Sequence, residues 1–312
     1  MNIGYCCLNL SINESLSPKN HIKTTRGMRI KTFNEKGVDY VSELAILNIK
    51  DLLKVLKWNY NNDINLFRIT SDLIPCMGLV DIEKLPQINV IKSLLKEAGN
   101  YIKSVNMRVS FHPSHYCVLA SQNSQVVEKS IKDLNDHAML FDWMGLDQSY
   151  QYPINIHVSS YKPTCEEAAE RFIRNFHKLN ESTKKRLVIE NDDTLSGFSV
   201  EMLYNLIYKH IDIPITLDFH HFKYGPQDQT LDEAFILATS TWPAYIKPLF
   251  HMSSSKTIED PNGYGQAHSN FIYEPIPKFN IDFDCDIEAK QKDKAVLKYR
   301  KDFLHIYSKK IL

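Results

Sequence analysis

Five histidines and three carboxylates stand at or just beyond the ends of short apolar runs. They are His112 (VSFHP), His157 (INIHVSS), Glu190 (LVIEND), Asp218 and His221 (PITLDFHH), His251 (LFHMSSS), His268 (GQAHSN) and Glu288 (CDIEAK). Imidazole and carboxylate are the donors that borderline and hard divalent ions prefer. Eight such donors exceed what one ion needs, so two or three ions are expected. The mix suits Mn²⁺ or Zn²⁺ better than Mg²⁺, which favours oxygen donors and retained waters. Closely spaced ions clamp both oxygens of an in-line phosphoryl displacement and acidify a bound water, with no side-chain nucleophile required. Phosphodiester hydrolysis is therefore the leading chemistry. Metal-dependent sugar isomerisation competes, because it draws on the same donors.

Singly, several of these residues have a plainer reading. Asp218 could cap the helix that follows it, and Glu288 could be a first-turn acid stabilised by a helix dipole. Glu190 ends a strongly apolar run, where a buried carboxylate needs a salt bridge or a metal. His268 lies in a loop and is unremarkable alone. It is the succession of donors through consecutive units that packing does not explain.

The elements that must position them alternate along the chain. Strands are expected at 3–8, 64–69, 107–111, 154–158, 187–190, 214–219, 248–252 and 279–283, as continuous apolar runs of the kind buried on both faces. Amphipathic helices are expected at 41–58, 87–103, 124–144, 165–180, 199–210, 230–240 and 288–308. Alternating β and α units with chemistry after the strands predict a single-domain (β/α)₈ TIM barrel over 1–312, its donors meeting at the C-terminal face. The polar stretch 11–31 and the segment 253–278 are expected to be long loops at that mouth. No GxGxxG or GxxxxGK[ST] run supports a nucleotide-binding sheet.

Bulk properties narrow the class. The 37 basic and 37 acidic residues cancel, so net charge neither advertises nor excludes a nucleic-acid partner. Six scattered cysteines without a CxxC pair read as reduced thiols, and the N-terminus does not read as a signal peptide. No apolar run reaches the ~20 residues that span a bilayer. A soluble protein of the cytoplasm is expected.

In register over nearly the whole chain, GYCCLNL, TTRGMRI, FRITSDLIP, SFHPSHY, IHVSS, IEND, LDFHH, HMSSS, AHSNFI and DIEAKQKDKA resemble the UV damage endonuclease family. The resemblance implies an endonuclease IV-like barrel with a trinuclear site, usually assigned to manganese. The implied activity is a nick immediately 5′ of cyclobutane pyrimidine dimers and 6-4 photoproducts in double-stranded DNA, often with cutting at abasic sites too. The same eight residues become the implied metal ligands, with Glu190 at the catalytic centre and Mn²⁺ preferred over Zn²⁺ or Co²⁺. Of the pair that the family inserts opposite the lesion, usually Gln then an aromatic, this chain has His115 and Tyr116. Tyr5 and Asn9 match residues placed near the damaged nucleotides. Lys23, Arg26, Arg29 and Lys31 form a basic loop suited to phosphates.

One departure concerns a lysine that the family often carries two residues before the histidine of HMSSS, reported as carboxylated. Leu249 stands there, and only a bulge at Pro248 would let Lys247 substitute, so no modified lysine is expected. A monomer is the default, since a duplex must reach the mouth. A xylose isomerase-like sugar isomerase or epimerase is the alternative function, and a non-catalytic lesion binder a third.

Overall fold

Residues 1–159 and 162–307 are described by the computed structural model, which leaves Ser160 of IHVSS and position 308 of the last expected helix outside the described residues. Eight strands form one sheet: β1 (Ile3–Cys6), β2 (Leu66–Ile69), β3 (Arg108–Phe111), β4 (Ile154–His157), β5 (Leu187–Glu190), β6 (Ile215–Thr216), β7 (Leu249–Met252) and β8 (Asp284–Ile287). Every paired strand is parallel, in the order β6-β5-β4-β3-β2-β1-β8-β7. The two ends meet just beyond β6. Asp218 bridges His251, His251 N donates to Leu217 O at 3.0 Å, and Phe219 N donates to His251 O at 3.0 Å. The sheet is thus a nearly closed TIM barrel.

Helices lie between the strands, as the apolar periodicity expects. The helix α3 (Ser124–Met144) keeps the expected bounds because both ends are marked in sequence. Asn123 caps its start by accepting from Gln125 N, and Gly145 ends it at φ 69°. The first helix, α1 (Ile30–Asn61), starts well before position 41 and breaks at Gly37 (φ 66°). Helix α2 (Ile88–Ser104) matches its expectation within a residue. Helix α4 (Cys165–Phe176) stops short of 180, because Asn180 caps a separate turn, Glu181–Lys184. The last helix begins at Lys292 rather than 288. The stretch 11–29 and the segment 253–278 are loops apart from short 3₁₀ turns. Among the described residues, no helix is long and apolar enough to cross a membrane.

The eighth strand corrects the sequence reading. Apolar 279–283 is not a strand; β8 is the more polar run Asp284–Ile287 just after it. Phe279 instead stacks on Phe235 of the helix Leu231–Ser240, with ring centroids 3.5 Å apart, and Phe283 packs against Phe235 and Phe250. The carboxylates of β8 have partners inside the barrel. Asp284 accepts from buried Arg108 at 3.2 Å, and Asp286 lies 3.6 Å from buried Arg68. The expected strand 3–8 is also shorter, ending where Cys7 takes a left-handed turn (φ 70°).

Arg108 also donates to the carbonyls of Lys247, Tyr150 and Gln151, so one side chain ties four segments at the N-terminal end of the barrel. Replacing it leaves Asp284 charged and poorly compensated. Arg108→Met should lower the unfolding free energy by about 3–5 kcal/mol in urea titrations. Adding Asp284→Asn to that variant should recover part of the loss.

Candidate metal centre

Side chains alternate in and out along each strand, and the inward positions form a ladder of polar groups. Low in the barrel, Arg108 meets Asp284. Above them Arg68 bonds the Glu288 carboxylate at 2.5 Å, donates to His251 Nε2 at 2.8 Å and faces Asp286. At the C-terminal mouth the ladder ends in the expected donors, all eight of which the structure brings together.

Glu190, the last residue of β5, is fully buried at the centre of the set. Its Oε2 lies 3.4 Å from His112 Nε2 and 3.8 Å from His157 Nε2. Its Oε1 lies 3.1 Å from His221 Nδ1 and 3.2 Å from His251 Nδ1. Two clusters of converging donor atoms result, His112–His157–Glu190 and Glu190–Asp218–His251, with the two Glu190 oxygens facing opposite groups. His268 and Glu288 flank the second cluster, where Glu288 Oε1 approaches His251 Nδ1 to 3.4 Å and the Glu288 carbonyl holds His268 Nδ1 at 2.6 Å.

Most of the rings are oriented by contacts of their own. The Nδ1 atoms of His112, His221 and His268 each face a backbone carbonyl, of Pro113, Asn191 and Glu288 respectively. His157 Nδ1 lies 3.0 Å from Asp192 Oδ1. For His112, His157 and His268 such contacts fix the ring and leave Nε2 free, whereas His221 shares Nδ1 between Asn191 and Glu190 and turns Nε2 towards Asp218 Oδ2 at 3.9 Å. His251 differs: Arg68 fills its Nε2, so Nδ1 faces the site. Asp218 caps a helix and still keeps one oxygen for the site. Its Oδ1 accepts from the backbone of His220 and His221 at the start of the short helix His221–Tyr224, while its Oδ2 is buried without a hydrogen-bond partner. Glu190 Oε1 and His251 Nδ1 are likewise buried without a well-aligned hydrogen bond. Unpartnered buried carboxylate oxygens are costly, and a shared cation is the arrangement that relieves them. The residues present therefore fit divalent ions.

Charge follows from the same packing. Burial would raise the Glu190 carboxyl, but His251 and His157, with contacts from His112 and His221, hold it well below the usual carboxylate range. Burial opposes a charge on His157, yet Glu190 and Asp192 raise it to about 9. Burial lowers His112.

The sequence reading missed the supports. Arg68 sits in the FRITSDLIP run, Asn155 donates to Glu190 Oε2, and Asp192 orients His157. His220 takes no place in either cluster; its Nε2 faces the Gln266 carbonyl at 3.0 Å and its ring meets His268 edge-on. A cation inside an apolar strand was the available signal for Arg68.

The other expected residues divide. Tyr116 projects into solvent with 76% of its surface exposed, its ring 4.0 Å from that of His115. Beside this pair runs a largely apolar cavity of about 520 Å³. Lys23, Arg29 and Lys31 are exposed, whereas Arg26 is half-buried and paired with Asp51 at 2.7 Å. Tyr5 and Asn9 are buried: Tyr5 lies outside the strand layer against α1, where its hydroxyl donates to Asn59, and Asn9 donates to Tyr5. They hold the first loop and are closed to a base in this conformation. Leu249 is buried on β7, and Lys247 is drawn to Asp282 at 2.7 Å, at the N-terminal end of that strand. No lysine on β7 reaches the donors.

A second cavity, about 490 Å³ and lined by His157, Lys162, Asp192 and His221, opens beside the donors. Comparison with known proteins decides the family. The family described as UV-endonuclease UvdE matches residues 1–310. The chain belongs to that family. The UV DNA damage endonuclease of Clostridium perfringens is 32% identical over 305 residues, 96% of this chain and 69% of that one. The UV-damage endonuclease of Schizosaccharomyces pombe is 31% identical over 94% of this chain, which spans about half (49%) of that relative's length. The crystal structure of SacUVDE superposes with a TM-score of 0.82 at 29% identity, covering 98% of this chain and 99% of that one. A family of endonucleases accords with a DNA repair enzyme and a DNA substrate, and not with the sugar-isomerase alternative.

Proton release tests the donor set directly. Without an ion, His157 is protonated below a pKa of about 9. An ion needs the neutral ring, so binding must displace a proton at neutral pH. Mn²⁺ affinity should rise as pH goes from 7 towards 9, and His221 and His251, both raised against their burial by the Glu190 carboxylate and its neighbours, should add to the proton release. Calorimetry in buffers of different ionisation enthalpy should read the released proton. At about 100 times its Kd, Mn²⁺ should add about 2.7 kcal/mol of stability, reversed by chelator.

Proposed function

We propose that this UvdE-family protein is a metal-dependent DNA repair endonuclease that hydrolyses the phosphodiester immediately 5′ of UV photoproducts, with abasic sites as a secondary substrate. The observation that carries the reading is Glu190, buried with its two oxygens turned to two separate groups of donors. His112 and His157 would hold one divalent ion with Glu190, and Asp218 and His251 a second. His221, His268 and Glu288 complete the set for these two ions or for a third. Mn²⁺ suits the nitrogen and oxygen donors best, with Zn²⁺ and Co²⁺ as substitutes. Ions bound there would acidify water and offset negative charge developing on phosphate oxygens.

The chain itself supplies position. Asn155 and the imidazoles fix the Glu190 carboxylate, and Asp192 turns His157 so that Nε2 faces it. On the β3 side, the Tyr116 ring is exposed and backed by His115, as a wedge that fills the gap left by flipped bases must be. Arg29, with Lys23 and Lys31, presents free cations to phosphates, whereas Arg26 shapes that loop through Asp51. Lesions are selected by their low cost of unstacking rather than by base-edge contacts. The protein works as a monomer within the cell, its open mouth receiving the duplex.

The deciding experiment incubates the protein and Mn²⁺ with a duplex carrying one pyrimidine dimer, beside an undamaged duplex. A single nick just 5′ of the dimer is expected, and Glu190→Gln should abolish it. Absence of cutting with Mn²⁺, Zn²⁺ and Co²⁺ would overturn the reading in favour of a lesion binder without catalysis. Tyr116→Ala should narrow the preference for damaged over intact duplex by roughly tenfold in competition binding, the size of one lost base–aromatic stack. Its metal content should stay unchanged.

A further inference from the structure

The mouth carries a second projecting tyrosine whose place is as specific as that of Tyr116. Tyr264 is 77% exposed, and among the described residues no ring stacks on it. It stands in the segment after β7 that also delivers His268 to the donor cluster.

That segment is clamped. Ser255 bridges His268, Lys256 N donates to Ala267 O at 2.7 Å, and Ser255 Oγ donates to Gly265 O at 2.8 Å. The Glu259 carboxylate gathers Lys256 Nζ, Asn270 N, Asn270 Nδ2 and the Tyr273 hydroxyl within 2.9 Å. Glycines flank Tyr264, and each is pressed against a neighbour. A Cβ on Gly263 would come within 2.9 Å of the Asp260 carbonyl and the Lys256 stem, and one on Gly265 within 2.9 Å of the Tyr224 ring. The backbone is thereby fixed while the tyrosine ring projects. An aromatic held on a rigid support loses little freedom when it stacks.

Topology separates it from Tyr116. With β6 and β7 closed by the Asp218–His251 bridge, β3 and β7 lie four strands apart by either route round the barrel. Tyr116 follows β3, whereas the Tyr264 segment lies against Tyr224 and His220, which follow β6, so the two tyrosines belong to different sides of the mouth. We propose that Tyr264 is a second stacking residue, one that packs against a base of the damaged dinucleotide turned out towards the donors, on a different side of the mouth from Tyr116. The proposal rests on the nuclease reading above. Stacking on a base face is indifferent to sequence, which suits a site that accepts chemically different lesions.

The test uses the full chain with Mn²⁺ and the single-dimer duplex. Tyr264→Ala should raise KM about tenfold with kcat little changed, while Tyr264→Trp restores KM. Binding to undamaged duplex should not move. Tyr245→Ala, which removes an 86% exposed tyrosine just before β7 at the other end of the barrel, should have no effect. A wild-type KM in Tyr264→Ala, or an equal loss on damaged and undamaged duplex, overturns the stacking role and leaves the nuclease reading intact. Failure of the unaltered protein to nick the dimer overturns both.

Discussion

Glu190 is a fully buried carboxylate held in its charged form by the imidazoles about it, and the top of the barrel is arranged around it. Left alone, such a group would be uncharged or would destabilise the fold by several kcal/mol. Here the imidazoles of His112, His157, His221 and His251 converge on it from four other strands or strand ends. Each ring is fixed by a further contact, three of them with the strand-end loops and one with Arg68. The donor geometry is thus a property of the closed barrel, and no single loop can set it. A one-residue slip in any of these strands would turn its donor outward.

Below the donors, charge compensation allows the barrel to be polar inside. A barrel core is usually branched aliphatic packing; this one places Arg108 with Asp284 and Arg68 with Asp286 and Glu288 in the same column. Arg68 is the coupling element. It neutralises acids from β8 and, by filling His251 Nε2, decides which nitrogen of that ring is presented to the site. Removing it would alter charge and donor orientation together, which gives a residue without direct access to substrate a strong influence on the centre.

Sequence reading recovered what depends on local pattern. Runs that are apolar up to a terminal donor, such as Leu187–Glu190, were legible as strands, and the donors at their ends in order followed. Helix α3 was legible to the residue because Asn123 and Gly145 mark its ends. Three of the departures share one cause, dependence on partners distant in sequence. Asp284–Ile287 looks too polar for a core strand until Arg68 and Arg108 are placed opposite it. Tyr5, which the resemblance places near the damaged nucleotides, lies on the outward face of its strand, where its hydroxyl donates to Asn59 of α1. Arg26 looked like a free cation until Asp51 was brought beside it.

A barrel with imidazole and carboxylate donors at its mouth serves sugar chemistry as readily as phosphodiester chemistry, so the donors alone do not choose between them. The surroundings differ in what they demand. A small sugar is best enclosed, with polar groups converging on its hydroxyls and few aromatic faces left in water. This mouth is instead open and edged by rings: Tyr116 with His115 on the β3 loop, and Tyr264 on the clamped segment after β7. Exposed aromatics on different sides of a deep polar site match a polymer that must be unstacked before its backbone reaches the donors. Under the proposed nuclease reading, the column of charge holds the donors in place and the ring-edged rim selects what reaches them.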